Sequence, residues 1–245
     1  MNKNKTHLSV IIPAYNESER IGKTLIETSN FLKKQPYISE IIVVDDGSID
    51  NTVEVVRSYM DRLPNLIVLN GEPNNGKGYA VKRGMNHATG EHRLFMDADG
   101  SVGIEEVERF IGEARNGHDV VIGSITHPDI EDPVIEHNGW HRRFLGKMSK
   151  FLVRKIAVPG IYDTQRGFKL FTARAAEAIF PRQKIYRFGF DIELLVIAME
   201  HGYKVKELPV AWDNPAGSKV RPADYFRTFR ELFEIVGNKM ANAYA

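Results

Sequence analysis

The chain has 245 residues, 42% of them hydrophobic and 27% charged, and its 33 Lys and Arg against 32 Asp and Glu leave a formal charge of +1. That composition supports a sizeable core and excludes a disordered or fibrous protein, while the balanced charge provides no global field to draw in nucleic acid. With no cysteine, disulfides, a thiolate nucleophile and Cys-ligated zinc are all excluded, which leaves carboxylate or histidine chemistry.

Met1 to His7 runs straight into the apolar stretch Leu8 to Ile12, too short for a signal-peptide core. A cytoplasmic location is the expectation. Strand-like runs then alternate with helical patterns: Leu8 to Ile12 before a helix over 18–34, Ile41 to Val44 before 51–62, Leu66 to Leu69 before 78–88. Arg93 to Met96 precedes a helix over 104–116, and Asp119 to Ile122 closes the series. This βαβ rhythm predicts an α/β fold, a mostly parallel sheet with helices on both faces.

Beyond Thr126 the rhythm is lost. A loop from His127 to Asn138 leads into a basic amphipathic segment, Trp140 to Lys155, and a second helical segment is expected over Tyr225 to Met240, with Phe226, Phe229, Phe233 and Val236 at helical spacing. No stretch reaches the roughly 18 uninterrupted apolar residues of a spanning helix. The best candidate, near 144–161, is broken by Lys147, Lys150, Arg154 and Lys155.

In such sheets ligands gather beyond the carboxyl ends of the strands. Four polar loops fall there: Pro13 to Glu17, Asp45 to Ser48, Asn74 to Gly78 and Asp97 to Asp99. Alternation along an extended segment points Asp97 and Asp99 the same way, so the two carboxylates can share one hard cation, Mg²⁺ or Mn²⁺. An isolated Asp-x-Asp is more often a polar turn; its three neighbouring loops argue otherwise. Asp45 and Asp46 are either turn residues or acceptors for a base or ribose, Glu17 is either a ligand contact or a helix-start acid, and Asn74 to Gly78 either cradles phosphate or simply turns.

Taken in order, Ser9-Val-Ile-Ile-Pro-Ala-Tyr-Asn-Glu17, Val43-Val-Asp-Asp-Gly-Ser48, Asn75-Gly-Lys-Gly78 and Met96-Asp-Ala-Asp-Gly100 resemble the successive motifs of family-2 glycosyltransferases. Asp163 to Phe171, Phe188 to Leu195 and Gly217-Ser-Lys219 resemble the dolichyl-phosphate β-glucosyltransferase branch, close to dolichyl-phosphate mannose synthases. The likeness runs over about residues 8–235.

That resemblance implies a GT-A (Rossmann-like) fold as one domain over 1–245, with residues to about 125 forming a nucleotide-sugar-binding half and 126–245 an acceptor-side half. It implies inverting transfer of a hexose, glucose favoured, from a UDP-sugar or GDP-sugar to a polyprenyl phosphate. Pro13, Tyr15, Glu17, Val44 and Asp46 match the nucleoside positions. Asp97, Ala98 and Asp99 match the metal and diphosphate positions, and Lys77 and Lys219 are the lysines expected to reach the donor. An arginine usual in the related enzymes is replaced here by Ile125 and one placed by the mannose synthases by Asp213, which leaves Arg142, Arg143, Lys147 and Arg166 as candidates for the acceptor phosphate.

A phosphate acceptor, its second pKa about 6, is already ionised and needs no general base. A hydroxyl acceptor would need one, and Asp163, Asp191 and Glu193 are the available carboxylates. The expected partners are thus a nucleotide-sugar donor, a polyprenyl phosphate and, through the basic segment at 140–155, the cytoplasmic membrane surface. A soluble enzyme with a hydroxyl acceptor and an inactive nucleotide-sugar-binding protein are the alternatives.

Overall fold

The computed structural model describes residues 5–71, 73–127, 152–213 and 222–245. Strands β1 (Leu8–Ala14), β2 (Ser39–Asp45), β3 (Leu66–Leu69), β4 (His92–Met96) and β5 (Val120–Ser124) fall on the β-branched runs. Helices α1 (Ile21–Leu32), α2 (Thr52–Arg57), α3 (Lys77–His87) and α4 (Val107–Arg115) follow the first four. Helices α1, α2 and α4 are shorter than their patterns while α3 keeps its length one residue earlier, and the run expected from 104 opens with a 3₁₀ turn, Ile104–Glu106.

Three further elements carry no clear sequence signal: β6 (Phe168–Thr172), α5 (Ala173–Arg182) and β7 (Val205–Pro209). Helices α6 (Phe190–Glu200) and α7 (Pro222–Met240) complete the described chain. Of the expected basic helix Trp140 to Lys155, only 152–155 lies within the described residues, and it is helical.

The strands form one seven-stranded sheet in the order β3-β2-β1-β4-β6-β5-β7. Strand β6 runs antiparallel to both β4 and β5, and the other pairs are parallel. A simple βαβ continuation would have set β5 beside β4; instead the chain returns to insert β6 between them.

Alternation divides the strand side chains between two layers. Ile11, Ile42, Phe95, Ile122 and Phe171 pack with α3, α5, α6 and the segment around Val153 and Val158. Val10, Ile12, Ile41, Val43, Leu94, Phe168 and Leu170 pack with α1, α2 and α4. Helix α1 shows why it faces the sheet as it does: Ile21, Thr24, Leu25, Thr28 and Leu32 are buried at helical spacing. Helix α6 is different, with Phe190 to Ala198 buried without interruption, so it is a core helix wrapped on all sides. No helix among the described residues is long and apolar enough to cross a membrane.

At the amino ends of β1 and β4, His7 and His92 meet edge-on with ring centroids 4.9 Å apart. His92 Nδ1 is buried without a hydrogen-bond partner. Burial, helped by His7 and Arg115 and opposed by Glu91, pulls His92 from 6.5 down to about 4. The folded state therefore resists a proton that the unfolded chain accepts, so His92 costs stability as pH falls from 6.5 towards about 4. Urea denaturation across that window should show a shallower acid loss in His92→Phe than in the parent chain; identical pH slopes would contradict this origin.

Candidate active site

The loops after β1, β2 and β4 and the amino end of α3 meet at one edge of the sheet. Strands β1 and β2 are stitched there by short side-chain links. Asn16 N–H donates to Ser48 Oγ at 2.9 Å, Glu17 N–H to Thr52 Oγ1 at 2.8 Å, and Ile49 N–H to Asn16 Oδ1 at 2.9 Å.

Adjacent aspartates do different work. The Asp45 carboxylate accepts from Gly47 N–H and Ser48 N–H at 3.0 and 3.1 Å, folding its own turn. The Asp46 carboxylate reaches across to accept from Asn75 N–H at 3.0 Å and Gly76 N–H at 2.8 Å, which fixes the Asn74 to Gly78 loop. Burial lifts the Asp46 carboxyl above the ordinary value, and those two N–H groups and Arg187 restrain the rise. Gly76 has φ of 109°, which only glycine adopts freely, and this turn delivers Lys77 as the first residue of α3. Arg187 braces the loop from outside, donating to Asn74 Oδ1 at 2.8 Å.

The Asp97 to Asp99 segment is pinned on three sides. Asp97 N–H donates to Gly167 O at 2.9 Å, extending the β4–β6 ladder by one bond. Thr24 Oγ1 donates to Ala98 O at 2.8 Å, and Ser101 N–H to Asp99 Oδ1 at 3.0 Å. Both carboxylates have cations beside them. Lys77 Nζ lies 2.5 Å from Asp97 Oδ1, and Arg20, held by Glu17 at 2.7 Å, lies 3.8 Å from Asp99 Oδ2.

A second ion pair lies beneath the first. Lys169, in β6 and wholly buried, donates to Asp191 Oδ1 at 2.5 Å and to Arg166 O. Its register partner in β4 is Phe95, and its ammonium stands 5.2 Å from the Phe95 ring centroid. Burial draws Lys169 below the ordinary lysine value and raises Asp191, each opposed by the attraction of the other. For Lys77 burial acts against the charge, but Asp97, Asp191 and Asp99 outweigh it and hold the ammonium above its ordinary range. Opposite charges thus alternate along Arg20, Asp99, Lys77, Asp191 and Lys169, with Asp97 paired to Lys77.

The other candidate carboxylates are committed to the scaffold. Asp163 Oδ2 accepts from Ile125 N–H at 3.3 Å and from Arg166 Nε at 3.1 Å, and the Arg166 guanidinium lies 4.8 Å over the Trp212 ring. Glu193 accepts from Lys184 N–H, Ile185 N–H at 2.8 Å and Tyr244 Oη at 2.9 Å. Ile125 is buried, and Asp213 N–H donates to Ser101 O at 2.9 Å. Val44 packs its side chain in the core, so any ligand contact from it must come through main chain; Pro13 pairs with it in register one residue before the end of β1, and Tyr15 is 40% exposed. Lys219, Arg142, Arg143 and Lys147 lie outside the described residues.

Four site residues escape the sequence reading: Arg20, Lys169, Arg187 and Glu231, whose carboxylate accepts from Gly189 N–H at 2.6 Å and so anchors the start of α6. Only Lys169 carried a signal, as a lysine inside the apolar run Phe168-Lys-Leu-Phe171. Among the described residues no three His, Cys, Asp or Glu gather as a metal cluster. Asp97 and Asp99 supply two hard oxygen donors, a set that suits a cation keeping waters and phosphate oxygens as its remaining ligands.

Residues 9–180 match glycosyl transferase family 2. The chain is 39% identical over 241 residues to a dolichyl-phosphate beta-glucosyltransferase of Trichomonas vaginalis, covering 94% of this chain and 71% of that one. It is 35% identical over 228 residues to the Homo sapiens protein of the same name, covering 88% and 70%. Among solved structures it resembles glucosyl-3-phosphoglycerate synthase from Mycobacterium tuberculosis in complex with Mn²⁺, UDP and phosphoglyceric acid, with a TM-score of 0.68 and 18% identity over 96% of this chain and 80% of that one. A mannosyl-3-phosphoglycerate synthase from Rubrobacter xylanophilus matches at a TM-score of 0.66 and 18% identity, covering 97% and 74%. The two structures establish the GT-A fold.

The closest packing in the site is at Gly167, where a Cβ would stand 2.2 Å from the Asp97 carboxylate. Gly167→Ala should lower stability by about 1–3 kcal/mol and weaken UDP binding, because Asp97 must move. Gly112→Ala, with open space around it on α4, should be neutral or slightly stabilising. Chemical denaturation and UDP titration of both variants check the contrast; parent-like values for Gly167→Ala would contradict it.

Proposed function

The chain belongs to glycosyl transferase family 2, and we propose that it transfers glucose from UDP-glucose to a polyprenyl phosphate with inversion at the anomeric carbon. The observation that carries the acceptor class is the state of the candidate bases. Asp163 holds Ile125 and Arg166, Asp191 holds Lys169, and Glu193 holds Lys184, Ile185 and Tyr244. A hydroxyl acceptor needs one of these carboxylates released; an ionised phosphate monoester does not. The names of the relatives point to the same acceptor class.

In this reading the Asp46-fixed loop, with Pro13, Tyr15, Glu17 and the main chain at Val44, receives the nucleoside. Lys77 and the Asp97-Ala98-Asp99 segment face the diphosphate. A Mg²⁺ or Mn²⁺ ion held by Asp97 and Asp99 would supply Lewis-acid stabilisation of the departing UDP. An acceptor phosphate oxygen forms the new bond to the anomeric carbon as the bond from that carbon to the UDP oxygen breaks, and no proton is transferred. Orientation is therefore the protein's main contribution.

Arg166, stacked near Trp212, serves the acceptor phosphate; on sequence alone Arg142, Arg143 and Lys147 join it there, and Lys219 serves the donor phosphates. Asp163 and Asp191 act by positioning Arg166 and Lys169. The halves to and from about residue 125 divide donor and acceptor handling. A polyprenyl acceptor resides in a bilayer, so the protein works at a membrane surface, and a donor made in the cytosol sets it on the cytoplasmic face.

Incubating the protein with UDP- and GDP-sugars, Mg²⁺ or Mn²⁺, and either a short polyprenyl phosphate or hydroxyl acceptors, with products read by mass spectrometry, tests the proposal. The expected product is a glucosyl phosphoryl polyprenol from UDP-glucose, lost in Asp99→Ala and on chelation. Product only with hydroxyl acceptors, or UDP binding without turnover, would overturn the assignment.

A further inference from the structure

Lys77 stands where a metal ion would have to approach Asp97. Its ammonium is within hydrogen-bond distance of Asp97 Oδ1, and Asp191 and Asp99 also pull on it electrostatically. Three carboxylates thus share one ammonium. The two acidic residues of the segment are not equally obstructed. Beside Asp99, Arg20 is held back by Glu17 and stays 3.8 Å away, whereas nothing intervenes between Lys77 and Asp97.

The lysine backbone cannot withdraw, since it starts α3, with Gly78 N–H bonded to Tyr186 O at 2.9 Å and Gly76 N–H to Asp46. The four-carbon stem can swing. A divalent cation arriving alone must therefore displace an ammonium that has no other unclaimed carboxylate within the site: Asp191 is already taken by Lys169 and Asp99 lies beside Arg20. A nucleoside diphosphate arriving with the cation changes this balance, because its phosphates give the displaced ammonium a new partner.

We propose that Lys77 occupies the cation position at Asp97 in the donor-free protein, so that a divalent cation and the nucleotide diphosphate bind together and the cation alone is held off. This deepens the proposed function and rests on the reading of Asp97 and Asp99 as metal ligands. By linkage, UDP must strengthen Mn²⁺ binding by the same factor as Mn²⁺ strengthens UDP binding.

Mn²⁺ binding measured by electron paramagnetic resonance and calorimetry, with and without UDP, tests it in the parent chain, Lys77→Met, Lys77→Gln and Asp97→Asn, each first checked for parent-like thermal unfolding. In the parent, UDP should tighten Mn²⁺ binding about tenfold or more. Both Lys77 variants should bind Mn²⁺ without UDP about tenfold more tightly than the parent, and the gain from UDP should shrink. Unchanged or weaker Mn²⁺ binding in both, with binding abolished in Asp97→Asn, would overturn the role of Lys77 alone. Parent-like Mn²⁺ binding by Asp97→Asn in the presence of UDP would instead remove the metal reading on which it rests.

Discussion

The hydrogen bond from Asp97 N–H to Gly167 O continues the antiparallel pairing of β4 with β6 beyond the last ladder residues, Met96 and Phe168. Much else in the site follows from it. The insertion of β6 between β4 and β5 brings the Asp163 to Gly167 loop against the Asp97 segment and sets Lys169 opposite Phe95 and Ile122, on the side of the sheet that α6 covers. Because α6 is buried all round, Asp191 on its first turn can reach Lys169 beneath the surface. A wholly parallel sheet would leave Asp97 without this support.

Burying Lys169 and Asp191 carries a desolvation penalty, and removing either partner alone leaves an uncompensated buried charge. The pair adds little net stability by itself. What it provides is a fixed charge below Lys77 and Asp97, so the order of signs toward the mouth of the site is determined by the fold. Asp46 acts likewise at the Asn74 to Gly78 loop: its carboxylate fixes the Gly76 turn that presents Lys77. Glu193 and Glu231 hold the segment that leads into α6, and Glu231 does so from α7, so the carboxy-terminal helix anchors the start of α6.

The sequence made the first five strands and four helices legible because short β-branched runs and 3.6-residue spacing record burial on one or both faces. Strand β7, Val-Lys-Glu-Leu-Pro, is a partly exposed edge strand whose composition carries no such record. Strand β6 carries a lysine in its middle, which reads as a break until Asp191 is known to lie beside it. The Asp97, Asp99 and Asp46 loops were legible since strand ends concentrate ligands, but Asp45 as a self-turning residue and Asp46 as a brace became distinct only with their N–H partners placed. Arg20, Arg187 and Glu231 act on partners far along the chain, and no local pattern encodes that. The basic segment at 140–155 lies mostly outside the described residues.

The dependence of the site on the buried Lys169–Asp191 pair is tested most directly by a double-mutant cycle of Lys169→Met and Asp191→Leu, read as unfolding free energy and as turnover with UDP-glucose. Each single change should cost about 3–5 kcal/mol, and the double variant should be more stable than either single one while turnover stays low in all three. Small, additive stability losses with parent-like turnover in the double variant would contradict the dependence.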